Sequence, residues 1–175
     1  MNRTAFDPGP LAEVSYNADG DRWTLAFVKS LKQPPERVWR ALTDPAQLNE
    51  WAPYTSDRDL ASTGEATLTM IDSEQRVDLH ARVTRAEAPT LLEYSWGNDN
   101  LRWELASEGD GTRLTLKHTV EGQDWIPKVA AGWHLCLFVA ERLLDGDPME
   151  PIRGEEAMEY GWQELHDEYA DELGI

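Results

Sequence analysis

His118 is the titratable residue whose position most favours a chemical role. Leu114, Leu116 and Val120 alternate with polar residues around it, so strand periodicity places His118 on the apolar side of its strand. An imidazole there can donate a hydrogen bond to a ligand or serve as an acid or base, but a buried histidine more often satisfies a local hydrogen bond. The sequence leaves both interpretations open.

Large aromatic side chains form the second candidate group. The sequence contains eight tryptophans, and several aromatic rings fall on inward positions of predicted strands and helices. Such rings can fill a core, or they can line a ligand pocket, which is typically apolar with a few polar groups. The candidate ligand-binding residues are Trp51, Tyr54, Tyr94, Trp96, Trp103, His118 and Trp133.

Other kinds of catalytic or metal site lack a sequence signal. The four histidines are scattered, and His134 and Cys136, two apart on a predicted helix, point in different directions. The chain has no GxSxG elbow and no Gly-rich phosphate loop. Its single cysteine lies in an apolar helical pattern, where a thiol behaves as a small hydrophobe. We therefore predict no metal site, no cofactor and no catalytic residue.

The charge balance restricts the partners of the protein. Its 175 residues include 16 Lys+Arg and 33 Asp+Glu, which gives a net charge of −17. A field of this sign repels nucleic-acid phosphates and anionic lipids, so we expect neither nucleic acid nor a membrane as partner. No window approaches the roughly 20 apolar residues of a membrane span, and no signal peptide is recognisable. These features predict a cytoplasmic protein.

Prolines mark two short helices early in the chain. An apolar strand is predicted over residues 22–32 and is followed by Pro35, while Pro45 opens a second helix that ends at Trp51. Proline fits the first turn of a helix, where its missing N–H would be unpaired anyway. Two helices are therefore expected directly after the first strand.

An antiparallel meander and a long helix are predicted next. Apolar and polar residues alternate between residues 64 and 120, interrupted by hairpin-type turns, so successive strands are expected to be neighbours in the sheet. Asp124 is a predicted N-cap, and apolar residues then recur three or four apart over some twenty residues. This long amphipathic helix is expected to cover the sheet.

The two ends of the chain differ from this pattern. Residues 1–21 mix Pro, Gly and Asp, which predicts a loose arm before a main domain at residues 22–146. Residues 147–175 are predicted to form an acidic extension with a helix over residues 152–173. Its aromatic stripe either docks on the domain, which we favour, or awaits a partner. The predicted anchors are Trp162, Leu165 and Tyr169.

Two segments resemble a known superfamily. The sequences PERVWRALTDPAQLNEW (residues 35–51) and GTRLTLKHTVEG (residues 111–122) are similar to the SRPBCC (START-like, Bet v 1-like) superfamily, in the activator of Hsp90 ATPase homologue 1-like branch. The resemblance implies an α+β helix-grip fold, in which a curved antiparallel sheet wraps a long C-terminal helix. It also implies an apolar cavity between sheet and helix.

The resemblance favours one function and leaves two alternatives. The favoured function is noncatalytic binding of a small hydrophobic or amphipathic molecule in that cavity. A chaperone-linked interaction protein is suggested by the name of the branch. An enzyme acting on a polyketide-like or aromatic substrate is the third hypothesis, and it requires acid or base groups, for which His118 is the visible candidate.

Overall fold

Eight antiparallel strands form one curved sheet in the described part of the chain. The computed structural model describes residues 7–72, 75–154 and 156–175. The strands are β1 (Glu13–Asp19), β2 (Arg22–Leu31), β3 (Tyr54–Ser56), β4 (Gly64–Asp72), β5 (Gln75–Glu87), β6 (Leu91–Trp96), β7 (Asp99–Glu108) and β8 (Gly111–Val120). Their order in the sheet is β1-β2-β8-β7-β6-β5-β4-β3.

The connections explain this order. Each strand from β3 to β8 pairs with its neighbour in sequence, which confirms the predicted meander. The chain crosses over after β2, so that β8 returns beside β2 and His118 pairs with Leu25. The long helix α3 (Trp125–Leu144) follows β8 and contacts the sheet. This arrangement confirms the α+β helix-grip fold.

Two short helices fill the crossover after β2, as the prolines predicted. They are α1 (Pro35–Thr43) and α2 (Pro45–Trp51). The helical spacing of Val38, Trp39 and Leu42 on α1 lets all three side chains be buried. Asp44 caps α2, because its Oδ1 accepts a hydrogen bond from Ala46 N at 3.0 Å.

Helix α3 is covered on more than one side. Its twenty residues include Lys128, Glu141 and Arg142 as the charged side chains, and most of the others are buried. A helix that is apolar nearly all round must be covered on opposite sides. The sheet provides one cover, and α5 (Trp162–Leu173) provides another, with Leu165 and Tyr169 buried and Trp162 partly buried.

The expectation of a loose arm over residues 1–21 is wrong for residues 13–19, which form β1. This strand pairs with β2 along its whole length through a two-residue turn at Gly20 and Asp21. Val14 and Tyr16 pack against the core, while Glu13, Ser15 and Asn17, which alternate with them, are exposed. Only two apolar residues carry the alternation, so composition indicated a loop. Residues 1–6 lie outside the described residues.

Two expectations for the helices also need correction. The single helix expected over residues 152–173 is divided into α4 (Glu156–Glu159) and α5. Gly161 has a φ of +91°, a left-handed conformation that a helix interior does not contain, so a new helix begins at Trp162. Asp124 precedes α3 as predicted, but its side chain makes no capping hydrogen bond.

Three segments meet where α5 covers α3, in a contact we call the arm junction. Tyr169 Oη accepts from Ala12 N at 2.9 Å and bonds to His134 Nδ1 at 2.6 Å. His134 Nε2 donates to Pro8 O at 2.8 Å. Burial lowers the pKa of His134 and raises the pKa of Tyr169 to about 12. Near neutral pH, a neutral imidazole and a neutral phenol therefore join the arm, α3 and α5.

Candidate functional site

A cavity of about 520 Å³ lies between the sheet and the amino-terminal end of α3. Its walls come from β4, β5, the β6–β7 turn, the end of β8 and the first turns of α3. The rim is exposed at Gly97, Asn98, Glu121 and Trp125, so the cavity opens to solvent there. The lining residues are Met70, Leu79, Trp96, Gly97, Asn98, Asp99, His118, Val120, Glu121, Trp125 and Val129.

The β6–β7 turn forms one side of the cavity and is held by two other strands. Arg22 from β2 donates a hydrogen bond to Asn98 O. Gly97 N donates to His80 O on β5 at 3.3 Å. These bonds fix the turn where Asp99, the first residue of β7, lies within hydrogen-bond distance of His118 on β8.

His118 makes hydrogen bonds through both ring nitrogens. Trp133 Nε1 donates to His118 Nδ1 at 2.9 Å, and His118 Nε2 lies 2.8 Å from Asp99 Oδ2. An indole N–H can only donate, so Nδ1 is the acceptor and the proton of the neutral ring is on Nε2. His118, which is 1 % exposed, therefore donates to the Asp99 carboxylate. The imidazole positions Asp99 and has no nitrogen free for a ligand.

Trp96 connects the cavity to the aromatic core. The centroid of its ring is 5.0 Å from that of Tyr54, 5.8 Å from that of His118 and 6.0 Å from that of Trp133. Its indole Nε1 is buried and has no hydrogen-bond partner within the described residues. Buried donors are normally paired, so this nitrogen is an exception among the described residues.

The other aromatic candidates form a closed network behind the cavity wall. Trp103 Nε1 donates to Tyr94 Oη at 3.2 Å, and the hydroxyls of Tyr94 and Tyr54 are hydrogen-bonded to each other. Trp51 Nε1 donates to Ala41 O at 2.9 Å. Burial raises the pKa of Tyr94 to about 12 and, together with the nearby Tyr94, raises that of Tyr54 well above its ordinary value. Both phenols therefore stay protonated near neutral pH.

The structure divides the seven predicted ligand-binding residues into two groups. Trp96 and His118 line the cavity, and Trp133 contacts both of them from α3. The remaining four are fully buried behind them, and they are Trp51, Tyr54, Tyr94 and Trp103. Asp99 and Trp125, which also line the cavity, were not predicted. The turn composition around Asp99 gave no signal beyond a hairpin.

Replacing His118 by Leu is expected to lower the free energy of unfolding by about 1–3 kcal/mol, because Trp133 Nε1 then stays buried without an acceptor. His118→Gln retains an amide oxygen that can accept this bond, so a smaller loss is expected. Urea denaturation measures both. In a Trp133→Phe background the donor is absent, and His118→Leu should then cost less. Equal costs in the two backgrounds would contradict the role of this hydrogen bond.

Metal-binding clusters and membrane-spanning helices are absent from the described residues. Within residues 7–72, 75–154 and 156–175, no three His, Cys, Asp or Glu side chains are grouped so that they could hold a metal ion. In the same residues, no helix is long and apolar enough to cross a membrane. The cavity, with its Asp99–His118–Trp133 hydrogen bonds, is the candidate site.

Comparisons with solved structures agree with the fold. CalU16 from Micromonospora echinospora, in its solution structure, has a TM-score of 0.71 and 21% identity over 93% of this chain and 95% of that chain. EF2215 from Enterococcus faecalis has a TM-score of 0.70 and 14% identity over 93% and 91%. An AHSA1-like protein from Aeromonas hydrophila has a TM-score of 0.61 and 24% identity over 70% and 92%. At these identities the likeness shows the fold alone.

Sequence comparison identifies the family. No curated protein matches the sequence. The family model described as "Activator of Hsp90 ATPase homolog 1-like protein" matches residues 32–144, which include α1, α2, the strands from β3 to β8 and all of α3. The chain therefore belongs to the activator of Hsp90 ATPase homolog 1-like family, within the SRPBCC (START-like) superfamily.

Proposed function

We propose that the protein binds a small hydrophobic or amphipathic molecule in the cavity between the sheet and α3, without catalysing a reaction. The cavity of about 520 Å³ carries this proposal. Its volume is within the range of roughly 300–1,000 Å³ that is typical of small-molecule sites. Its wall is mainly apolar, with Met70, Leu79, Val120 and Val129 facing the cavity.

The polar groups of the cavity also support binding. Specific ligand sites combine an apolar wall with a few polar groups that fix the orientation of the ligand. Asp99 offers a carboxylate that His118 holds in place, and it lines the cavity. A molecule with an apolar body and one polar end would match this combination.

The hydrogen bonds argue against His118 as a general acid or base at this site. A general acid or base needs a titratable atom within reach of the substrate. Both nitrogens of His118 are engaged by Trp133 and Asp99. The phenols of Tyr54 and Tyr94 are buried behind the wall, and their pKa values are raised. The network is suited to holding a ligand in one orientation.

A neutral hydrophobic probe tests the proposal. We expect N-phenyl-1-naphthylamine to bind saturably, with a rise in its fluorescence as it enters the cavity. Val129→Phe places a larger side chain in the cavity wall and should weaken binding at least about tenfold, because the ring occupies the volume that the probe needs. The same exchange at Val14, a partly buried position of β1 outside the cavity, is the matched control and should leave affinity unchanged.

Two results would contradict the proposal. One is the absence of a saturable response to this probe and to a panel of fatty and aromatic compounds. The other is equal binding by the wild-type protein and by a folded Val129→Phe variant, since the probe would then occupy another surface. Either result would favour the alternative of a chaperone-linked interaction protein, for which the family name is the present support.

A further inference from the structure

The charges that line the cavity limit what it accepts. Asp99 and Glu121 contribute carboxylates to the lining, and no lysine or arginine of the described residues lines it. The whole chain has a net charge of −17, so the long-range field has the same sign. A ligand with a carboxylate or phosphate group is repelled by such a site, and a ligand with an ammonium group is attracted.

His118 holds Asp99 in place without supplying a positive charge. The bond from Trp133 to His118 Nδ1 requires an unprotonated acceptor, so the ring that donates to Asp99 is the neutral tautomer. A neutral imidazole supplies a hydrogen bond but no counter-charge. The Asp99 side chain is 31% exposed and lines the cavity, so a ligand can reach its carboxylate.

Two indole rings line the same cavity. An ammonium group is attracted to the face of an indole as well as to a carboxylate. Trp96 lies in the wall, and Trp125 lies at the rim with 48% of its surface exposed. Lys128 Nζ is 4.7 Å from the centroid of the Trp125 ring, so this indole already has an ammonium of the protein on it, and Trp96 is the ring that remains for a ligand. Carboxylate and indole groups are thus present together on the route into the cavity.

We infer that the cavity selects amphipathic molecules that carry a protonated amine. The ammonium pairs with Asp99, and the apolar body of the ligand packs among Trp96, Val120 and Val129. This inference rests on the proposed binding function and adds the charge class of the ligand. Fatty acids and aromatic carboxylates, which would fit the same volume, are disfavoured by their charge.

Three probes with one ring system test the inference. Isothermal titration calorimetry at neutral pH compares 2-naphthylmethylamine, 2-naphthalenemethanol and 2-naphthoate, which are cationic, neutral and anionic. We expect the amine to bind at least about tenfold more tightly than the carboxylate, because attraction to Asp99 replaces repulsion. The alcohol should have an intermediate affinity, since it keeps the apolar contacts without a charge.

A matched pair of variants assigns the preference to one side chain. Asp99→Asn keeps the shape of the side chain and an oxygen that can accept from His118 Nε2, but removes the charge. It should abolish most of the preference for the amine over the carboxylate. Asp110→Asn, at an exposed position between β7 and β8, changes the net charge equally and should leave the preference intact.

Each contrary result has a distinct meaning. If the amine and the carboxylate bind with equal affinity and the alcohol also binds, the charge preference is overturned and the proposed binding function still stands. A preference that persists in Asp99→Asn, or that Asp110→Asn reduces equally, would assign it to the overall field and overturn the role of Asp99. Failure of all three probes to bind, together with N-phenyl-1-naphthylamine, would overturn both proposals.

Discussion

Truncation of the chain after Gly146 is expected to lower the melting temperature by roughly 10 to 35 °C. The change removes Ile152, Leu165 and Tyr169, which are only 3 %, 3 % and 0 % exposed. Burial of a large apolar side chain stabilises a protein by about 1.5–3 kcal/mol, so the expected loss is about 5–9 kcal/mol. That is comparable with the whole stability of a typical domain, about 5–15 kcal/mol. Calorimetry or circular dichroism measures the shift.

Point variants keep this prediction testable if the truncated protein does not fold. Leu165→Ala should cost about 2–5 kcal/mol in urea denaturation, because it leaves a cavity under α5. Glu172→Ala, at an exposed position of the same helix, should change stability by less than about 0.5 kcal/mol. Two results together would show that α5 is not docked. They are an unchanged melting temperature after truncation and fast amide exchange throughout α5 in the intact protein.

Gly111→Ala is expected to destabilise the protein by about 3 kcal/mol or more, although it adds a single methyl group. A Cβ at this position would lie 2.1 Å from Leu31 O, and the contacting atom belongs to the backbone of β2. Thr112 Oγ1 also donates to Gln33 O at 2.7 Å, which holds the start of β8 against the same segment. The strands must separate to admit the methyl group. Chemical denaturation measures the cost.

Gly132→Ala is the matched control for this prediction. Gly132 lies in the middle of α3, and a Cβ there would meet no heavy atom within 4 Å. Alanine has the higher helix propensity by about 0.8–1.0 kcal/mol, so this variant should be more stable than the wild-type protein. The same Gly→Ala exchange should thus lower the stability of the protein at position 111 and raise it at position 132. A Gly111→Ala variant as stable as the wild type would show that β2 and β8 are not in close contact.

Local signals made much of the fold predictable. Pro35 and Pro45 identified two helices, and apolar alternation identified the strands of the meander, because a few neighbouring residues carry each signal. β1 was missed because its exposed edge position leaves only Val14 and Tyr16 to carry the pattern. The break at Gly161 was missed because the helical spacing of apolar residues continues from Met158 in α4 to Leu173 in α5. In both cases tertiary packing decides what local sequence leaves open.

The site was less predictable than the fold. Alternation alone gives the inward direction of His118, which is buried. The bond to Asp99 depends on the register of β7 against β8, in which Asn100 pairs with Thr119, and no local pattern specifies that register. The hydrogen bond from Trp133 depends in turn on how α3 lies on the sheet. Contacts between distant elements therefore determine which aromatic residues face the cavity.

The arm junction has a consequence for the lifetime of the folded state. Ala12 and Tyr169 are separated by 157 residues in the sequence, so their hydrogen bond closes almost the longest loop that the chain can form. Contacts between residues so far apart in sequence are expected to form after the folding nucleus. The nucleus favours local pairings, such as the hairpins between consecutive strands from β3 to β8. Interactions that are absent from the transition state slow unfolding without speeding folding. The junction between the arm, α3 and α5 is therefore expected to slow unfolding of the native structure.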